Sequence, residues 1–165
     1  MIRLYEPADF ETLASWVTDA DMLFQFAGTE FSFPLTEGQV LAYQAKYPDR
    51  HFYMGYIDGV CFSFGEIIPQ ENSGPRLGRL LIGDPGKRGL GLGMFFIHDL
   101  IEECERLYHA KLIELYVWEN NIAAVKCYTK IGFDFVVIDP FKIVHNGEEY
   151  NLLKMRFVVV ENNRV

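Results

Sequence analysis

The residues best suited to chemistry lie in a glycine-rich segment near the middle of the chain. Lys87 and Arg88 supply two positive charges, and Gly89, Gly91 and Gly93 follow at alternate positions. A helical pattern begins directly after this segment, and the first N–H groups of a helix have no partner within it. Because glycines leave the backbone bare, an anion can approach those groups closely. The segment therefore predicts an anion site, with a pyrophosphate as the ligand that fits it best.

The spacing of these glycines excludes two common phosphate loops. A dinucleotide fingerprint, G-x-G-x-x-G, would need a glycine where Met94 stands, and a Walker loop would need Lys and then Ser or Thr after Gly91. The pattern that does occur is Arg88-x-x-Gly91-x-Gly93. One alternative stays open, in which the loop is a turn that packs a helix on a strand and binds nothing.

A second motif follows one helix and one strand later. The residues Asn121, Ala124, Tyr128, Gly132 and Phe133 fit the pattern N-x-x-A-x-x-x-Y-x-x-x-G-F. The two motifs, in this order and at this distance, resemble those of the GNAT N-acetyltransferase superfamily. The resemblance extends weakly over nearly the whole chain. The positions of the motifs along the chain resemble those in the branch that contains ribosomal-protein N-terminal and polyamine acetyltransferases.

The resemblance implies a binding mode for acetyl-CoA. In the family, this cosubstrate lies in a splay between the fourth and fifth strands, and its pantetheine arm pairs with the fourth strand. The matching residues for the arm are Leu81, Ile82 and Gly83, with Asn121 contacting the arm or capping the last helix. The matching residues for the pyrophosphate are Lys87, Arg88, Gly89, Gly91, Gly93 and Met94.

Catalytic roles are also carried over from the resemblance. Tyr128 matches a tyrosine near the thioester sulfur, where a general acid returns a proton to the leaving thiolate; the alternative is an aromatic residue that only packs. Some family members carry the general base on the strands that correspond to Arg76–Arg79 and Tyr116. No carboxylate stands at those positions here. Glu114, which shares a strand face with Tyr116, and Glu66, which would act through water, are the candidates for the base. The alternative is that each is a structural or solvent-facing carboxylate. Arg79 either meets an anionic part of the substrate or faces solvent.

Composition limits the class of protein. The chain has 165 residues and is half hydrophobic, so we expect one domain spanning residues 1–165. It has no apolar run long enough for a membrane span, and its N-terminus does not resemble a signal peptide. The three cysteines are scattered and do not suggest a disulfide framework, and the four histidines lack the spacing of metal ligands. We therefore expect a cytoplasmic protein, a monomer or a homodimer, with no metal and no membrane contact.

The net charge of −8 argues against nucleic-acid binding and suits a cationic amine. Sequence patterns predict the order of elements: a strand, two helices, three strands, a helix, a strand, a helix and further strands. The aromatic residues 20–34 are expected to form a loop that closes the core or shapes the acceptor pocket. Residues 133–138 are expected to form a strand. Asp58-Gly59 and Asn146-Gly147 are each expected to join two strands as a hairpin turn. Thr36 and Gln39 predict a capping box, and Leu107 is expected on the apolar face of the central helix. The fold class expected is α/β, a GNAT-like, mostly antiparallel mixed sheet with the splay described above and helices on both faces.

The function expected from these observations is an acetyl-CoA-dependent N-acetyltransferase. It would move an acetyl group to a primary amine (a small amine, a polyamine or a protein N-terminus) by direct attack in a ternary complex. One alternative is a CoA-binding module without catalysis. A lesser one is a phosphate-binding protein unrelated to CoA.

Overall fold

The computed structural model describes residues 1–160, which contain one open sheet of eight strands with helices on both faces. The strands are β1 (Ile2–Leu4), β2 (His51–Ile57), β3 (Val60–Ile68), β4 (Arg76–Ile82), β5 (Leu112–Trp118), β6 (Asp134–Phe135), β7 (Phe141–His145) and β8 (Glu148–Val158). Their order is β1-β2-β3-β4-β5-β8-β6, and β7 pairs with β8. All pairs are antiparallel except β4–β5.

Three helices cover one face and two cover the other. The helices are α1 (Phe10–Trp16), α2 (Ala20–Ala27), α3 (Glu37–Lys46), α4 (Leu92–Tyr108) and α5 (Ile122–Ile131). Strand alternation divides the core accordingly. Phe52 and Met54 of β2 pack with α1–α3, whereas Tyr53 packs with α4 and α5. The expected fold class is therefore confirmed, while residues 161–165 of the expected domain lie outside the described part.

The local predictions from turn residues are confirmed. Asp58 and Gly59 join β2 to β3, and both have positive φ, 49° and 75°. Asn146 and Gly147 join β7 to β8 with φ of 50° and 78°. Two-residue hairpins favour such pairs because their backbone matches the twist of the flanking strands.

Residues 20–34 were expected to form a loop, and this prediction was wrong for residues 20–27. They form α2, so three helices rather than two precede β2. The Asp19 side chain caps α2 by accepting from the Met22 N–H at 2.8 Å, and Leu23, Phe26 and Ala27 are buried at helical spacing. The helical spacing of apolar residues was visible in the sequence, but it covers only two turns. The additional buried residue Phe24 makes the spacing less regular.

Three smaller expectations also need correction. The strand expected over residues 133–138 shrinks to the two residues of β6, and Val137 is fully exposed. Leu107 was expected on the apolar face of α4 but is exposed, because Tyr108 continues that face. Thr36 accepts from the Gln39 N–H, but the Gln39 side chain bonds to the backbone of residues 32 and 34, so the expected capping box is only half formed.

The feature that creates a site is the divergence of β4 from β5. They pair only through Arg76 with Glu114 and Leu77 with Leu115, and both strands then run on without pairing to each other. Within β4, an extra residue interrupts the register against β3, and Arg79 there has a left-handed φ of 47°. A bulge of this kind bends a strand and re-aims its side chains. The sheet is therefore open beyond Leu77.

Candidate active site

A cleft of about 860 Å³ passes through this opening in the sheet. Met22 and Phe26 of α2 line it from one face, and Cys127 and Tyr128 of α5 line it from the other. The end of β4 contributes the residues Leu80, Leu81 and Ile82. The cleft therefore reaches both faces of the sheet, which allows two molecules to meet within it.

One end of the cleft is formed by the glycine-rich segment and the start of α4. Gly91 is the N-cap of α4 with φ of 77°, a conformation that side chains with a Cβ rarely adopt. No side chain caps this helix end, and its first turn contains no acidic residue. Gly89, Gly91, Gly93 and Met94 all line the cleft. Uncapped N–H groups and the helix dipole make this end suited to an anion.

Positive side chains gather at the same end. Lys87 and Arg88, for which phosphate contact is expected, line the cleft. The Arg88 Nε donates to the Ile82 carbonyl at 2.9 Å and so ties the loop to β4. Sequence reasoning missed Lys126 and Lys130, which also line the cleft. Their spacing of four residues on α5 was the available signal, since such residues share a helix face. The charge at this end complements a polyphosphate.

Tyr128 lies in the wall of the cleft between the two faces. It is 9% exposed, and its hydroxyl has no hydrogen-bond partner in the described part of the chain. Burial raises the pKa of the Tyr128 phenol, so the phenol stays protonated at neutral pH. The neighbouring thiol of Cys127 also has its pKa raised by burial. A protonated phenol facing a cleft can donate a proton to a developing anion.

Three of the four residues expected to contact the pantetheine arm line the cleft, and the fourth does not. Leu81, Ile82 and Asn121 line the cleft, and Asn121 also caps α5 by accepting from the Ala124 N–H at 3.2 Å. Gly83 does not line it, because its N–H donates to the Phe62 carbonyl at 2.9 Å. A Cβ on Gly83 would lie 1.8 Å from the Trp16 ring, which explains this glycine by packing.

Neither candidate base lines the cleft. Glu66 is fully buried, accepts from the Tyr43 hydroxyl at 2.6 Å and forms an ion pair with Arg79. Glu114 is also fully buried and pairs with Lys154 at 2.9 Å and with Arg156 at 3.2 Å.

Burial would raise the pKa of Glu114, but hydrogen bonds from its partners outweigh this and lower it below its usual range. Both carboxylates are ion-paired and neither lines the cleft, so they are poorly placed to take a proton from an amine there. The assignment of Glu66 or Glu114 as a base stays an untested prediction that this geometry does not favour.

The acceptor side of the cleft includes polar residues of α2 and of the segment just before it that sequence reasoning did not assign. Thr18, Asp19, Asp21 and Gln25 line it together with the apolar Met22 and Phe26. Asp19 and Asp21 are exposed, so these two carboxylates lie at the solvent mouth. Within residues 1–160, no cluster of His, Cys, Asp and Glu could hold a metal ion, and no helix is long and apolar enough to cross a membrane.

Comparison with known proteins is consistent with this geometry. The family model described as "Acetyltransferase (GNAT) family" matches residues 20–133 of the chain. A spermine/spermidine N(1)-acetyltransferase of Bacillus subtilis (strain 168) is 33% identical over 82 residues, which are 47% of this chain and 54% of that protein. The match thus spans about half the length of this curated relative.

Solved structures share the fold over almost the whole chain. A spermidine N-acetyltransferase from Vibrio cholerae, in complex with CoA and spermine, superposes with a TM-score of 0.78 at 14% identity, covering 96% of this chain and 94% of that one. A ribosomal-protein-alanine N-acetyltransferase from Brucella melitensis superposes with a TM-score of 0.71 at 18% identity, covering 96% and 99%. At these identities the similarity concerns the fold.

Proposed function

This chain belongs to the GNAT family of acetyltransferases, and from that premise we propose that it transfers an acetyl group from acetyl-CoA to a primary amine. The observation that carries the proposal is the cleft through the sheet. It joins an uncapped, positively charged helix start to an apolar wall that contains the Tyr128 hydroxyl.

The cosubstrate is acetyl-CoA, held at the α4 end of the cleft. Its pyrophosphate accepts from the N–H groups of Gly91, Leu92 and Gly93 at the start of α4, and Lys87, Lys126 and Lys130 balance the remaining charge. The pantetheine arm runs along Leu81 and Ile82, where β4 has no strand partner on the β5 side. An arm that hydrogen-bonds there completes the sheet edge that the splay leaves open.

The reaction is direct attack in a ternary complex. The neutral amine nitrogen forms a bond to the thioester carbonyl carbon, the C–S bond breaks, and the Tyr128 phenol gives its proton to the CoA thiolate. The proton lost by the attacking nitrogen leaves through the open cleft to solvent, since Glu66 and Glu114 lie outside it. Tyr128 then regains a proton from solvent. No covalent enzyme intermediate forms.

The acceptor is a primary amine. Two relatives of this chain are named for polyamine acetylation, and a ribosomal-protein-alanine acetyltransferase shares the fold. The acceptor reaches the thioester from the α2 side of the sheet, because the cosubstrate occupies the α4 and α5 side.

A CoA-binding module without catalysis is the second candidate. It is favoured by one observation, the confinement of Glu66 and Glu114 to buried ion pairs. The experiment that separates the two is a screen of primary amines with acetyl-CoA, with release of the CoA thiol as the readout. We expect thiol release that depends on the amine. CoA binding without thiol release for any amine would favour the module.

A further inference from the structure

The face of the sheet beneath the acceptor side carries an excess of positive charge that the cofactor does not use. Five cations lie along this face, from the loop after α3 across β4 to β8. Within residues 1–160, two buried carboxylates lie among them, and the exposed Asp134 of β6 lies opposite Arg156. The cations are Arg50, Arg76, Arg79, Lys154 and Arg156, and the buried carboxylates are Glu66 and Glu114. The whole protein, by contrast, has a net charge of −8. Positive charge is therefore concentrated locally.

Most of these cations have partners. Arg79 pairs with Glu66, and Lys154 and Arg156 share Glu114. Arg50 donates to the Tyr43 hydroxyl at 2.5 Å and stacks over the Tyr47 ring at 3.8 Å. These contacts neutralise part of the positive charge on this face. The ion pairs also offset the cost of burying Glu66 and Glu114.

Arg76 is different. Its guanidinium lies over the Tyr116 ring at 5.5 Å, and within residues 1–160 it makes no hydrogen bond and no ion pair. The Lys154 ammonium lies 6.0 Å from the same ring, so a second cation is close by. Arg76 is half-buried, and burial lowers its pKa. A partly desolvated guanidinium with all its donors free is suited to bind an anion in bidentate geometry.

The position of Arg76 links this cation to the reaction. Arg76 and Tyr116 lie at the apex of the splay, on the face covered by α2 and α3. Leu80 lies four positions after Arg76 on β4, just beyond the bulge at Arg79, so the two backbones are roughly 13 Å apart at about 3.3 Å per residue. Leu80 and Leu81, directly beyond the bulge, line the cleft. The Arg76 guanidinium covers part of this distance, because it lies over Tyr116, two positions further along β5 than its strand partner Glu114. An extended acceptor of several carbon atoms would bridge the remainder, with its amine in the cleft and its other end at Arg76.

We propose that the acceptor is a small amine that also carries a carboxylate or a similar anion, and that Arg76 is the residue that selects it by binding that anion beside Tyr116. This inference rests on the proposed acetyl transfer for the identity of the amine, but the anion site can be tested without turnover. It differs from a polyamine acceptor, whose second charge would face Arg76 and Lys154 and be repelled. The carboxylates Asp19 and Asp21 lie at the exposed mouth, where solvent screens them.

The first test compares acceptors that differ only in charge. 4-Aminobutanoate, 6-aminohexanoate and 8-aminooctanoate, which span increasing distances between amine and carboxylate, are each paired with the corresponding carboxamide, and spermidine is added as the cationic alternative. Values of kcat/KM are corrected for the fraction of neutral amine. For the best length, we expect the carboxylate to exceed its carboxamide by roughly 10- to 100-fold, the usual effect of a charge-assisted hydrogen bond. Equal values within every pair, or a preference for spermidine, would overturn the inference.

The second test uses variants. Arg76→Gln should remove the preference for the carboxylate, and Arg76→Lys should keep part of it because a cation remains. CoA affinity and the melting temperature should change little, since Arg76 does not line the cofactor cleft. Arg106→Gln, an exposed cation of α4 that pairs with Glu103, is the control and should keep the full preference. A preference that survives in Arg76→Gln would assign anion selection to another residue and overturn the role given to Arg76.

A binding measurement separates this inference from the proposed function. In the presence of CoA, the product 6-acetamidohexanoate should bind more tightly than its carboxamide, and the difference should vanish in Arg76→Gln. If this holds while no amine yields thiol release, the anion site stands and acetyl transfer fails. If transfer occurs but neither binding nor rate distinguishes carboxylate from carboxamide, acetyl transfer stands and the anion site fails.

Discussion

The Tyr43 hydroxyl donates a hydrogen bond of 2.6 Å to the fully buried carboxylate of Glu66. Burial, followed by the charge of Glu66, raises the pKa of Tyr43 to about 12, so Tyr43 remains a donor. The same hydroxyl accepts from Arg79 at 2.9 Å and from Arg50 at 2.5 Å. Glu66 is thus the counter-ion of the arginine at the β4 bulge. This relationship explains how a cation can occupy that strained position, and it gives each carboxylate oxygen of Glu66 a partner outside the cleft.

Binding of CoA should stabilise the folded protein. At a CoA concentration 100 times the dissociation constant, the gain is about 2.7 kcal/mol. For a domain of this size, this corresponds to a rise in melting temperature of roughly 5–10 °C. Desulfo-CoA should act equally, because the site recognises phosphates and the arm, while a nicotinamide dinucleotide should not. A melting temperature that saturating CoA leaves unchanged would rule out the assigned cofactor cleft.

Gly91→Val should abolish CoA binding while leaving a folded protein. The added side chain stands at the uncapped helix start, and a β-branched residue is unfavourable at a φ of 77°. Gly59→Val is a matched control, because Gly59 has a φ of 75° and open space around its Cβ position but lies in the β2–β3 turn. Both variants should lose similar stability, and Gly59→Val alone should bind CoA normally in a calorimetric titration. Normal CoA binding by Gly91→Val would show that the loop is only a turn and does not bind the pyrophosphate.

Tyr128→Phe should lower turnover by roughly 10²- to 10⁴-fold, the range of a general acid. Affinity for acetyl-CoA should hardly change, because the proton is needed only when the thiolate develops. Phenylalanine keeps the ring, so packing against Phe133 at a ring distance of 6.0 Å is preserved. Tyr108→Phe, at the end of α4 and outside the cleft, is the control and should keep full turnover. Unchanged turnover in Tyr128→Phe would show that the residue only packs.

The rate should follow the ionisation of the amine acceptor rather than that of an enzyme carboxylate. An alkylammonium group has a pKa of about 10.4, and we assign no described side chain as its base. The logarithm of kcat/KM should therefore rise with pH towards the pKa of each acceptor. Burial raises the pKa of Tyr128, so no descending limb from this phenol is expected below about pH 10. A plateau reached near pH 5–7 for every acceptor would instead reveal an enzymatic base.

Glu114 should make the folded protein less stable as the pH becomes acidic. Its pKa is lowered in the folded state by Lys154 and Arg156, against an unfolded value of about 4.3. The stabilisation is therefore complete above that unfolded value and is lost as pH falls through the folded pKa. Glu114→Gln should cost about 3–5 kcal/mol in the free energy of unfolding by urea at pH 7, because two cations lose their buried partner. The loss should be much smaller near pH 3, and the exposed Glu102→Gln should change little at either pH.

Local sequence determined the elements and one end of the site. Asp58-Gly59 and Asn146-Gly147 set two hairpins because their backbone tolerates positive φ, and the pattern from Gly89 to Met94 set the uncapped start of α4. Only the tertiary structure decided the partners of the charged residues. Glu66 meets Arg79, and Glu114 meets Arg156, because strand register and the β4 bulge bring them together. Such pairing depends on contacts between distant segments, so no local pattern could show that both candidate bases are engaged while the Arg76 side chain has no ion pair within residues 1–160.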